Sequence, residues 1–595
     1  MPFSYSIEIA NFVTWIFAFL AGLVAALGLQ PYNLWGCSLV AVAGWLALLR
    51  QTQKTWQIFA LSWLFAFGFF WLGLDWIATS FTHQAAMPSW LGWVAVPLLS
   101  CYLACYIALF TLPLRFLCLS FRRGEKRVDS FQSSDGIGDG ADSGDVDAIP
   151  PRLLPVEKGA AVAREGTMKS RFFAGAAAFW SLPVFSISLS QIPLWRLTLA
   201  LAGCLTWGEW IKSWVFTGFP WSPLGAIWLN ILPIAHIARW IGSYGLSALV
   251  VIAAGIGLSC YDGIKSAIEK RQARQAIRSL LPAFWMALPF LGWALVDGHD
   301  IHWQKAERPP AHVVIVQPNI PQDEKYDLRY KSRHDAIFEK LSGKGDPHHP
   351  RLILWPEDAV QSYLEEEPLA RAALSRLLGK NDLLLTGGDA LIPDNSGHIA
   401  SVRNSLFVLD AKGDILDRYD KAHLVPFGEY MPFRKWAAYV GLGRLVAGDI
   451  EFTEGAQPES LDLVPFGLVG IQICYEIVFS GRVVDRAHRP DFIFNLSNDS
   501  WFGRSGPPQH LAQARLRAIE EGLPIARATS TGISAVIDAE GRILQFLPEN
   551  TEGRLLAVMP KALQPTFFAR YGNLISVLFA TALLLIALFR RIKLR

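Results

Sequence analysis

The run GLVGIQICYEIVF at residues 467–479 decides the fold of the polar half of this chain. It is apolar and rich in β-branched residues up to Cys474, and it stops abruptly at Tyr475 and Glu476. This pattern is typical of a buried strand that ends in a sharp turn. The sequence therefore predicts that the strand places the thiol of Cys474 at that turn.

Two upstream runs end in reactive side chains in the same way. LILWPEDAV at 352–360 carries Glu357, and RYDKAHLVPFGEY at 418–430 carries Lys421. A cysteine attacks as the thiolate, and because its ordinary pKa is about 8.5 it needs a base. We expect Glu357 to be this base, with a pKa that burial raises towards the working range. We expect Lys421 to stabilise an oxyanion, together with the backbone N–H that follows the nucleophile.

Two further carboxylates lie close in sequence to these groups. Glu429 and Glu476 would orient the three side chains, keep Lys421 protonated, or both. No histidine belongs to the set, which therefore differs from the Cys-His arrangement of papain-like enzymes. Each residue alone has a plainer interpretation, because a lone buried cysteine packs as a small hydrophobe, a lone lysine is solvated, and Glu357 can simply begin a helix. Their combination is what predicts catalysis.

The composition places a large part of the chain in a membrane. Of 595 residues, 52% are hydrophobic and 18% are charged, and the mean hydropathy is +0.29. Soluble globular chains carry about 25% charged residues. The length allows at least two domains. No basic groove or stacking pattern indicates nucleic-acid binding.

Eight apolar segments come close to the length of about 20 residues that a helix needs to cross the hydrocarbon core. The predicted spans are 10–29, 33–50, 56–79, 91–118, 193–216, 237–260, 279–297 and 573–589. Lys and Arg collect after every second span, around residues 50–54, 115–127, 265–278 and 590–595. Since positive charge marks the cytoplasmic side, we expect both termini there.

This topology divides the chain into three parts. Residues 1–297 would hold seven spans, residues 298–572 an external domain, and residues 573–595 the eighth span and a basic tail. The first span is expected to be retained, because no small-residue cleavage site follows it. Residues 124–168, rich in Gly, Asp and Ser, are expected to form a disordered cytoplasmic loop. Residues 171–190 are expected to be interfacial, because a ninth span would make the number of spans odd and would place the two termini on opposite sides of the membrane.

The cysteines argue against a disulfide framework or a metal site. Cys474 alone lies in the polar half, so it has no disulfide partner there. No CxxC or His/Cys cluster has metal-ligand spacing, and we expect no metal. The remaining six are expected to pack as small hydrophobes in or beside the apolar segments: Cys37, Cys101, Cys105, Cys118, Cys204 and Cys260.

Two features of the membrane half are candidate functional elements. Glu209 lies in an apolar run, and an ionisable group at membrane depth is a functional candidate. A position at a helix end near the headgroups explains it equally well. The aromatic stretch WVFTGFPWSPLG at 214–225 is interrupted by Gly and Pro and is placed at the outer interface, where aromatic belts are common.

The polar half alternates short β-rich runs with helical stretches, which predicts an α/β domain with helices outside a sheet core. Several runs are apolar on both faces, as in sheets that are buried on both sides. Strands are expected at 312–319, 351–357, 382–388, 405–410, 413–420, 467–474, 491–498 and 531–541, and helices at 333–342, 368–379 and 507–522.

The set of Glu357, Lys421 and Cys474 resembles the nitrilase superfamily, whose members use a Glu-Lys-Cys triad on an α-β-β-α sandwich. Longer motifs narrow the resemblance to the apolipoprotein N-acyltransferase family, which completes bacterial lipoprotein maturation. These motifs are WPE at 355–357, KAHLVPFGEYMPF at 421–433, ICYEIVF at 473–479, NLSNDSWFG at 495–503, QPNIPQDEKYD at 317–327, RNS at 403–405, PPQH at 507–510, ATSTGISAVID at 528–538 and GFPW at 218–221. The similarity covers nearly the whole chain.

The resemblance implies a role for each matching residue. Glu357 matches the family's general base, Lys421 its oxyanion lysine and Cys474 its acyl-accepting nucleophile. Further positions that the family needs for activity correspond to Glu429, Tyr475 and Glu476.

The resemblance also implies the reaction and its setting. An acyl group passes from the sn-1 position of phosphatidylethanolamine, through a thioester, to the N-terminal amine of a diacylglyceryl-cysteine lipoprotein. No cofactor is needed, because the thioester stores the reactivity of the acyl group. The implied protein is a monomer of the bacterial inner membrane, with its catalytic domain in the periplasm.

One residue departs from the family pattern. The aromatic residue after the QxxIPQ-like segment is commonly tryptophan, whereas this chain has Tyr326, which keeps a flat ring and adds a hydroxyl. Tyr326, Trp501 and Trp221 are expected to bind substrate. The Pro/Gly-rich aromatic segments 426–445 and 501–507 are candidate lids that keep water from the thioester.

Two other functions fit parts of the sequence. The same triad suits a membrane-tethered amide or nitrile hydrolase, but a soluble substrate needs no scaffold of eight spans. The second alternative function is that of a transporter, or of a scaffold that only binds lipoproteins. A transporter should show paired charges inside its spans, and the sequence indicates only Glu209.

Overall fold

The computed structural model describes residues 2–83, 88–117, 188–270, 311–345, 349–432 and 452–589, with a few helical residues between 277 and 292. The predicted loop 124–168, the basic tail 590–595 and Cys118 lie outside these residues. Most of segment 171–190 and of the predicted span 279–297 lies outside them as well.

Ten helices of at least eight residues lie in the described parts of the chain. They are α1 (Pro2–Ala26), α2 (Trp35–Arg50), α3 (Thr55–Gly73), α4 (Leu91–Thr111), α5 (Leu194–Lys212), α6 (Ala238–Lys270), α7 (Lys331–Ser342), α8 (Pro368–Ser375), α9 (Gly506–Glu521) and α10 (Asn573–Leu588). Single helical turns are Ile77–Ser80, Leu232–Ala235, Gln322–Lys325 and Phe567–Tyr571.

Helices α1 to α6 and α10 form one apolar bundle. Small residues allow its helices to approach closely, as is common in membrane proteins. A Cβ on Gly22 of α1 would lie 2.0 Å from the carbonyl oxygen of Phe65 in α3. A Cβ on Gly68 of α3 would lie 2.3 Å from the carbonyl oxygen of Phe19 in α1. The crossing of these two helices therefore depends on both glycines.

Three described helices are long and apolar enough to cross a membrane, at Thr55–Gly73, Leu91–Leu117 and Ala238–Glu269. Shorter apolar helices lie at Phe12–Ala26, Trp35–Arg50 and Asn573–Leu588. Helix α5 contains the charged residues Arg196, Glu209 and Lys212. These helices make the chain a membrane protein. Seven of the eight predicted spans coincide with helices, and the number of membrane crossings stays a prediction.

The bundle has two distinct ends. At one end, Arg50 in the last turn of α2 and Asp262 in α6 form an ion pair at 2.7 Å. At the other end, the Ser80 hydroxyl donates a hydrogen bond of 2.8 Å to the carbonyl oxygen of Trp501 in the polar half. The basic loop at residues 50–54 therefore lies at the end of the bundle that faces away from the polar domain.

The polar half contains two six-stranded sheets. The strands are β1 (His312–Gln317), β2 (Leu352–Leu354), β3 (Leu383–Pro393), β4 (Ile399–Leu409), β5 (Ile415–Asp420), β6 (Ser460–Leu463), β7 (Gly467–Ile473), β8 (Phe492–Ser497), β9 (Ile525–Thr529), β10 (Ser534–Ile537), β11 (Ile543–Leu547) and β12 (Gly553–Val558). The first sheet has the order β12-β1-β2-β3-β4-β5 and the second the order β11-β10-β9-β8-β7-β6.

Each sheet has a parallel centre and antiparallel edges. In the first sheet β1, β2 and β3 are parallel, with Leu354 opposite Leu385. In the second sheet β7, β8 and β9 are parallel, with Ile473 opposite Leu496. Because carboxyl ends of parallel strands share one edge, the residues that follow β2, β7 and β8 are brought together.

The sheets pack face to face, with a helix layer on each outer side. Leu354 and Leu385 of the first sheet share a core with Ile473 and Phe494 of the second. Helices α7 and α8 cover the outer face of the first sheet. Helix α9 covers the outer face of the second sheet and shares one core with the membrane bundle. The α-β-β-α sandwich implied by the resemblance is therefore present, and one of its helix layers rests on the bundle.

The sequence pattern does not predict four of the strands. Strand β9 contains Arg527, which interrupts the apolar run but is fully buried in an ion pair of 2.7 Å with Asp499. Strand β11 is mostly exposed, β12 is half exposed, and β6 has only four residues. Short or half-exposed strands carry little periodic signal, since the pattern depends on a buried face.

Candidate active site

The ends of four strands meet at one edge of the sandwich. Glu357 lies three residues after β2, Lys421 follows β5, Cys474 follows β7 and Asn498 follows β8. The backbone N–H of Asn498 in the second sheet donates a hydrogen bond of 2.7 Å to Oε2 of Glu357 in the first. The site is therefore assembled between the two sheets.

Lys421 lies between two carboxylates and is almost fully buried. Its Nζ is 3.3 Å from Oε1 of Glu357 and 2.8 Å from Oε1 of Glu429. Burial by itself lowers the pKa of the Lys421 amine. The charges of Glu429, Glu357 and Cys474 outweigh burial and raise that pKa well above its usual value. Lys421 is therefore a fixed cation at neutral pH.

Glu357 is buried but does not gain the raised pKa expected from burial. Burial does favour its neutral form, but Lys421 and the hydrogen bonds donated by Asn404 and Asn498 outweigh it. The pKa of Glu357 therefore lies below its ordinary value. The expected rise towards the working range is wrong, because the sequence indicates burial but not the cation beside it. The ionised carboxylate can accept a proton at neutral pH.

Cys474 occupies a strained turn at the end of β7. Its φ is +50°, a left-handed conformation that non-glycine residues rarely adopt. The residue is 6% exposed. Burial raises the pKa of its thiol and Glu357 adds to the rise, while Lys421 and a hydrogen bond with Ser497 oppose it. The resting pair is thus a thiol and a carboxylate, and attack by sulfur requires transfer of the thiol proton.

Glu476 connects the turn at Cys474 to the segment after Lys421. Its carboxylate accepts hydrogen bonds from Ile473 N at 2.6 Å, Ala422 N at 2.7 Å and the Tyr419 hydroxyl at 2.9 Å. Burial raises the pKa of Glu476 to about 7, and these donors offset part of the rise. The residue joins two strand ends from opposite sheets, and its orienting role stays a prediction.

The aromatic residues proposed for substrate binding lie in three different environments. Tyr326 is 59% exposed and its hydroxyl donates to the Asp358 carboxylate next to Glu357. Trp501 is half-buried where the sandwich meets the bundle. Trp221 is fully buried, and its indole N–H donates to Gln509 Oε1 at 2.8 Å. The three rings do not form one cluster, and their substrate contacts stay a prediction.

The two candidate lids are described to different extents. The described part of the first, residues 426–432, includes Phe427, whose ring is 56% exposed. Residues 433–445 lie outside the described chain. The second lid, residues 501–507, rests on the bundle, where Ser505 donates to the Asp75 carboxylate and Gly503 N donates to Trp76 O at 3.4 Å.

Helix α5 of the membrane bundle contains a pair of buried ionisable residues, of which the sequence indicated only one. Glu209 and Lys212 lie one turn apart in α5, and both are buried. Glu209 Oε1 accepts a hydrogen bond of 2.9 Å from Leu224 N, and Lys212 Nζ donates one of 3.4 Å to Trp221 O. Both side chains thus hold the segment that follows α5. The pair has a structural role and gives the transporter hypothesis no support.

Sequence reasoning missed several polar residues that hold the site. Asn404 donates to Glu357 Oε1 at 2.8 Å and to Glu429 Oε1 at 3.1 Å. His510 contacts the carbonyl oxygen of Cys474 through Nε2 at 3.0 Å. The motifs RNS, NLSN and PPQH contain Asn404, Asn498 and His510, so the signal was present. Without the fold, however, nothing connects these motifs to the nucleophile. Among the described residues, no group of three His, Cys, Asp or Glu side chains could hold a metal ion.

Two family models match separate parts of the chain. The carbon-nitrogen hydrolase model matches residues 348–565, and the apolipoprotein N-acyltransferase N-terminal domain matches residues 21–127 and 166–256. A protein of Rhodopseudomonas palustris named apolipoprotein N-acyltransferase is 31% identical, across 97% of this chain and 95% of its own length. This chain belongs to the apolipoprotein N-acyltransferase family.

Family relatives cover more of this chain than the similar solved structures do. The apolipoprotein N-acyltransferase of Bradyrhizobium diazoefficiens is 36% identical over 67% of this chain and 74% of its own length. Among solved structures, Saccharomyces cerevisiae Nit3 of the nitrilase superfamily covers 45% of this chain with 18% identity and a TM-score of 0.32. The amidase from Nesterenkonia sp. covers 43% with 17% identity and a TM-score of 0.28. The family relatives thus extend over the bundle and the sandwich, whereas the solved structures match less than half of the chain.

Proposed function

We propose that this chain transfers a fatty acyl group from a phospholipid to the N-terminal amine of a diacylglyceryl-cysteine lipoprotein. The observation that carries the proposal is the match of both halves of the chain to the apolipoprotein N-acyltransferase family. The cluster of Glu357, Lys421 and Cys474 supports it, because a base, a fixed cation and a thiol are what acyl transfer through a thioester requires.

The first step forms a thioester on Cys474. Glu357 takes the thiol proton as sulfur attacks the sn-1 ester carbonyl of phosphatidylethanolamine, and the carbonyl oxygen becomes an oxyanion. Lys421 and the N–H of Tyr475 stabilise that oxyanion. When the tetrahedral intermediate collapses, the carbon–oxygen bond breaks and Glu357 returns the proton to the departing lysophospholipid.

The second step transfers the acyl group to the lipoprotein. The free α-amine of the acceptor attacks the thioester carbonyl, Glu357 removes a proton from the attacking nitrogen, and the carbon–sulfur bond breaks. Glu357 then passes that proton to the departing sulfur, so the products are an N-acylated lipoprotein and the restored Cys474 thiol. A covalent intermediate between two substrates predicts ping-pong kinetics. No cofactor takes part.

The setting in the membrane follows from the same proposal. Residues 1–297 and 573–595 would anchor the chain as a monomer in the bacterial inner membrane. The domain 298–572 would face the periplasm, and both termini would be cytoplasmic. The contact between helix α9 and the bundle supports this arrangement, because it holds the site at the membrane surface. The lids 426–445 and 501–507 would keep water from the thioester.

A membrane-tethered amidase is the rival within the same chemistry. The two proposals differ in what acylates Cys474. The full-length protein would be incubated with vesicles of phosphatidylethanolamine labelled in the sn-1 chain, and intact mass and peptide mass spectrometry would locate the label. We expect one acyl adduct on Cys474 that leaves when a diacylated lipopeptide is added. Absence of the adduct, or continued transfer in Cys474→Ala protein, would rule out the thioester route.

A further inference from the structure

His510 is the only described histidine that contacts the backbone of the nucleophile. Its Nε2 lies 3.0 Å from the carbonyl oxygen of Cys474, and because a carbonyl can only accept, Nε2 must carry the hydrogen. Its Nδ1 lies 3.1 Å from Asp499 Oδ1 and 3.1 Å from Arg527 Nη2. His510, Asp499 and Arg527 are all buried. The imidazole is therefore held on one side and donates to the nucleophile turn on the other.

The geometry of the peptide bond connects the contact of His510 with the Cys474 carbonyl to the direction of the Tyr475 N–H. The peptide between Cys474 and Tyr475 is planar, so its carbonyl oxygen and the N–H of Tyr475 point in opposite directions. Holding the carbonyl at His510 therefore fixes the direction of the Tyr475 N–H, which is the proposed second donor to the oxyanion. The left-handed conformation of Cys474 is strained, so it persists only if the surrounding residues hold it.

The membrane bundle contacts the same turn from the other side. The segment 218–222 follows α5, and its Trp221 ring lies 5.3 Å from the ring of His510. Gln509 Oε1 accepts hydrogen bonds from Trp221 Nε1 at 2.8 Å and from the Ser222 hydroxyl at 3.0 Å. The Tyr475 hydroxyl also reaches the carbonyl oxygen of Gly218, at 3.4 Å. One bundle segment thus contacts both His510 and the residue after the nucleophile.

We infer that His510 is a positioning residue that aims the Tyr475 N–H at the oxyanion, and that segment 218–222 of the membrane bundle holds it in place. This inference rests on the proposed function. It gives Trp221 a role in positioning through Gln509 and His510. It also makes the oxyanion site complete only when the sandwich is seated on the bundle.

The test is the first turnover of full-length protein in vesicles that contain phosphatidylethanolamine labelled in the sn-1 chain. Quenched-flow mass spectrometry gives both the rate constant of Cys474 acylation and the fraction of protein acylated. His510→Leu removes the donor with little change in size, and His510→Gln returns an N–H. Gln513→Leu, at a buried position one turn further along α9, is the matched control.

We expect the rate constant of His510→Leu to fall about 100-fold, the loss that a small misplacement of reacting groups produces. His510→Gln should recover about 10-fold of that loss, and Gln513→Leu should match the wild type. Trp221→Phe, which keeps a smaller aromatic ring but removes the indole N–H donated to Gln509, should slow acylation without reducing the acylated fraction.

A fall only in the acylated fraction of His510→Leu, with the rate constant unchanged, would assign His510 to folding and overturn the inference. Equal rate constants for the Leu and Gln variants, both far below the wild type, would overturn it as well, because the donated N–H would then not matter. If wild-type protein and Gln513→Leu form no adduct on Cys474, the proposed function fails first and the inference fails with it.

Discussion

At the scale of single residues, the site depends on one cation shared by two carboxylates. Lys421 keeps the buried Glu357 ionised, and the same charge is available to an oxyanion at Cys474. Asn404 bridges Glu357 and Glu429, so it holds the two carboxylates in one geometry. The proposed base is therefore ionised at neutral pH because of its neighbours rather than because of its burial.

Replacing Glu357 with glutamine should remove the base and leave the shape of the site. General-base catalysis contributes about 10²–10⁴-fold, so the rate constant of Cys474 acylation by phospholipid should fall by that factor. Glu366→Gln, at an exposed position nine residues later, is the matched control and should keep the wild-type rate. Wild-type acylation in Glu357→Gln protein would remove Glu357 from the mechanism.

The pH dependence of acylation should change when a residue that lowers the pKa of Glu357 is removed. Because Asn404 helps to hold the pKa of Glu357 below its ordinary value, Asn404→Leu should raise that pKa. The base then becomes protonated at a higher pH, so the acid limb of the first-turnover rate should move to higher pH. The rate in alkaline buffer should change less. Asn395→Ala, in an exposed turn, should leave the profile unmoved, and a fixed acid limb in Asn404→Leu would mean that another group titrates.

At the scale of elements, close packing of strand β3 against the loop after β2 sets the position of the base. A Cβ on Gly387 would lie 2.5 Å from Asp358 N and 2.7 Å from the Cα of Glu357. A Cβ on the next residue, Gly388, would lie 3.4 Å from its nearest atom, the carbonyl oxygen of Val360, which is an ordinary contact distance. The strand thus needs a glycine at one of these two neighbouring positions and tolerates a methyl group at the other.

Gly387→Ala should push the Glu357 segment away from Lys421. Overpacking of this kind costs about 1–3 kcal/mol of stability, and the displaced base should slow acylation as well. Gly388→Ala is the control and should fold and react almost as the wild type does. Thermal unfolding in detergent and first-turnover acylation measure the two effects. Equal behaviour of the two variants would show that the close approach at Gly387 does not position Glu357.

At the scale of the whole molecule, a buried ion pair within α9 links the sandwich to the bundle through the contact of Glu520 with Ser243. Arg517 and Glu520 of α9 lie 2.7 Å apart, and Glu520 also accepts a hydrogen bond of 2.6 Å from the backbone N–H of Ser243 in α6. The Arg517 Nη1 donates to the carbonyl oxygen of Val478, four residues after the nucleophile. One helix therefore connects a membrane helix to the nucleophile turn.

Arg517→Met should leave the Glu520 carboxylate buried without its cation. Breaking a buried pair in this way costs about 3–5 kcal/mol, which should appear as a large fall in the unfolding temperature. Lys340→Met is the matched control, because Lys340 and Glu552 form an exposed pair whose loss costs less than about 1 kcal/mol. Similar unfolding temperatures for the two variants would show that the pair does not hold the halves together.

The proposed topology can be tested in intact cells. Lys344 lies in the sandwich and Lys54 in the basic loop at the far end of the bundle, and both are exposed. In a background without the reactive native cysteines, a cysteine at position 344 should react with an impermeant maleimide from the periplasmic side. A cysteine at position 54 should react only after the inner membrane is opened. The reverse pattern would invert the orientation.

The sequence by itself determined the class of the protein, the positions of seven apolar helices and five of the six parallel strands of the sandwich, and it singled out Glu357, Lys421 and Cys474 as the proposed triad. These follow from local signals, because apolar runs, strand ends and motifs are each written in consecutive residues. The depressed pKa of Glu357, the contact of His510 with Cys474 and the docking of α9 on the bundle were decided by the tertiary structure alone. Each depends on groups that lie far apart in the sequence and that only packing brings within hydrogen-bond distance. Because the interaction between two charges weakens with the distance between them, the pKa of Glu357 depends on which groups the fold places beside it, and a linear pattern does not show this.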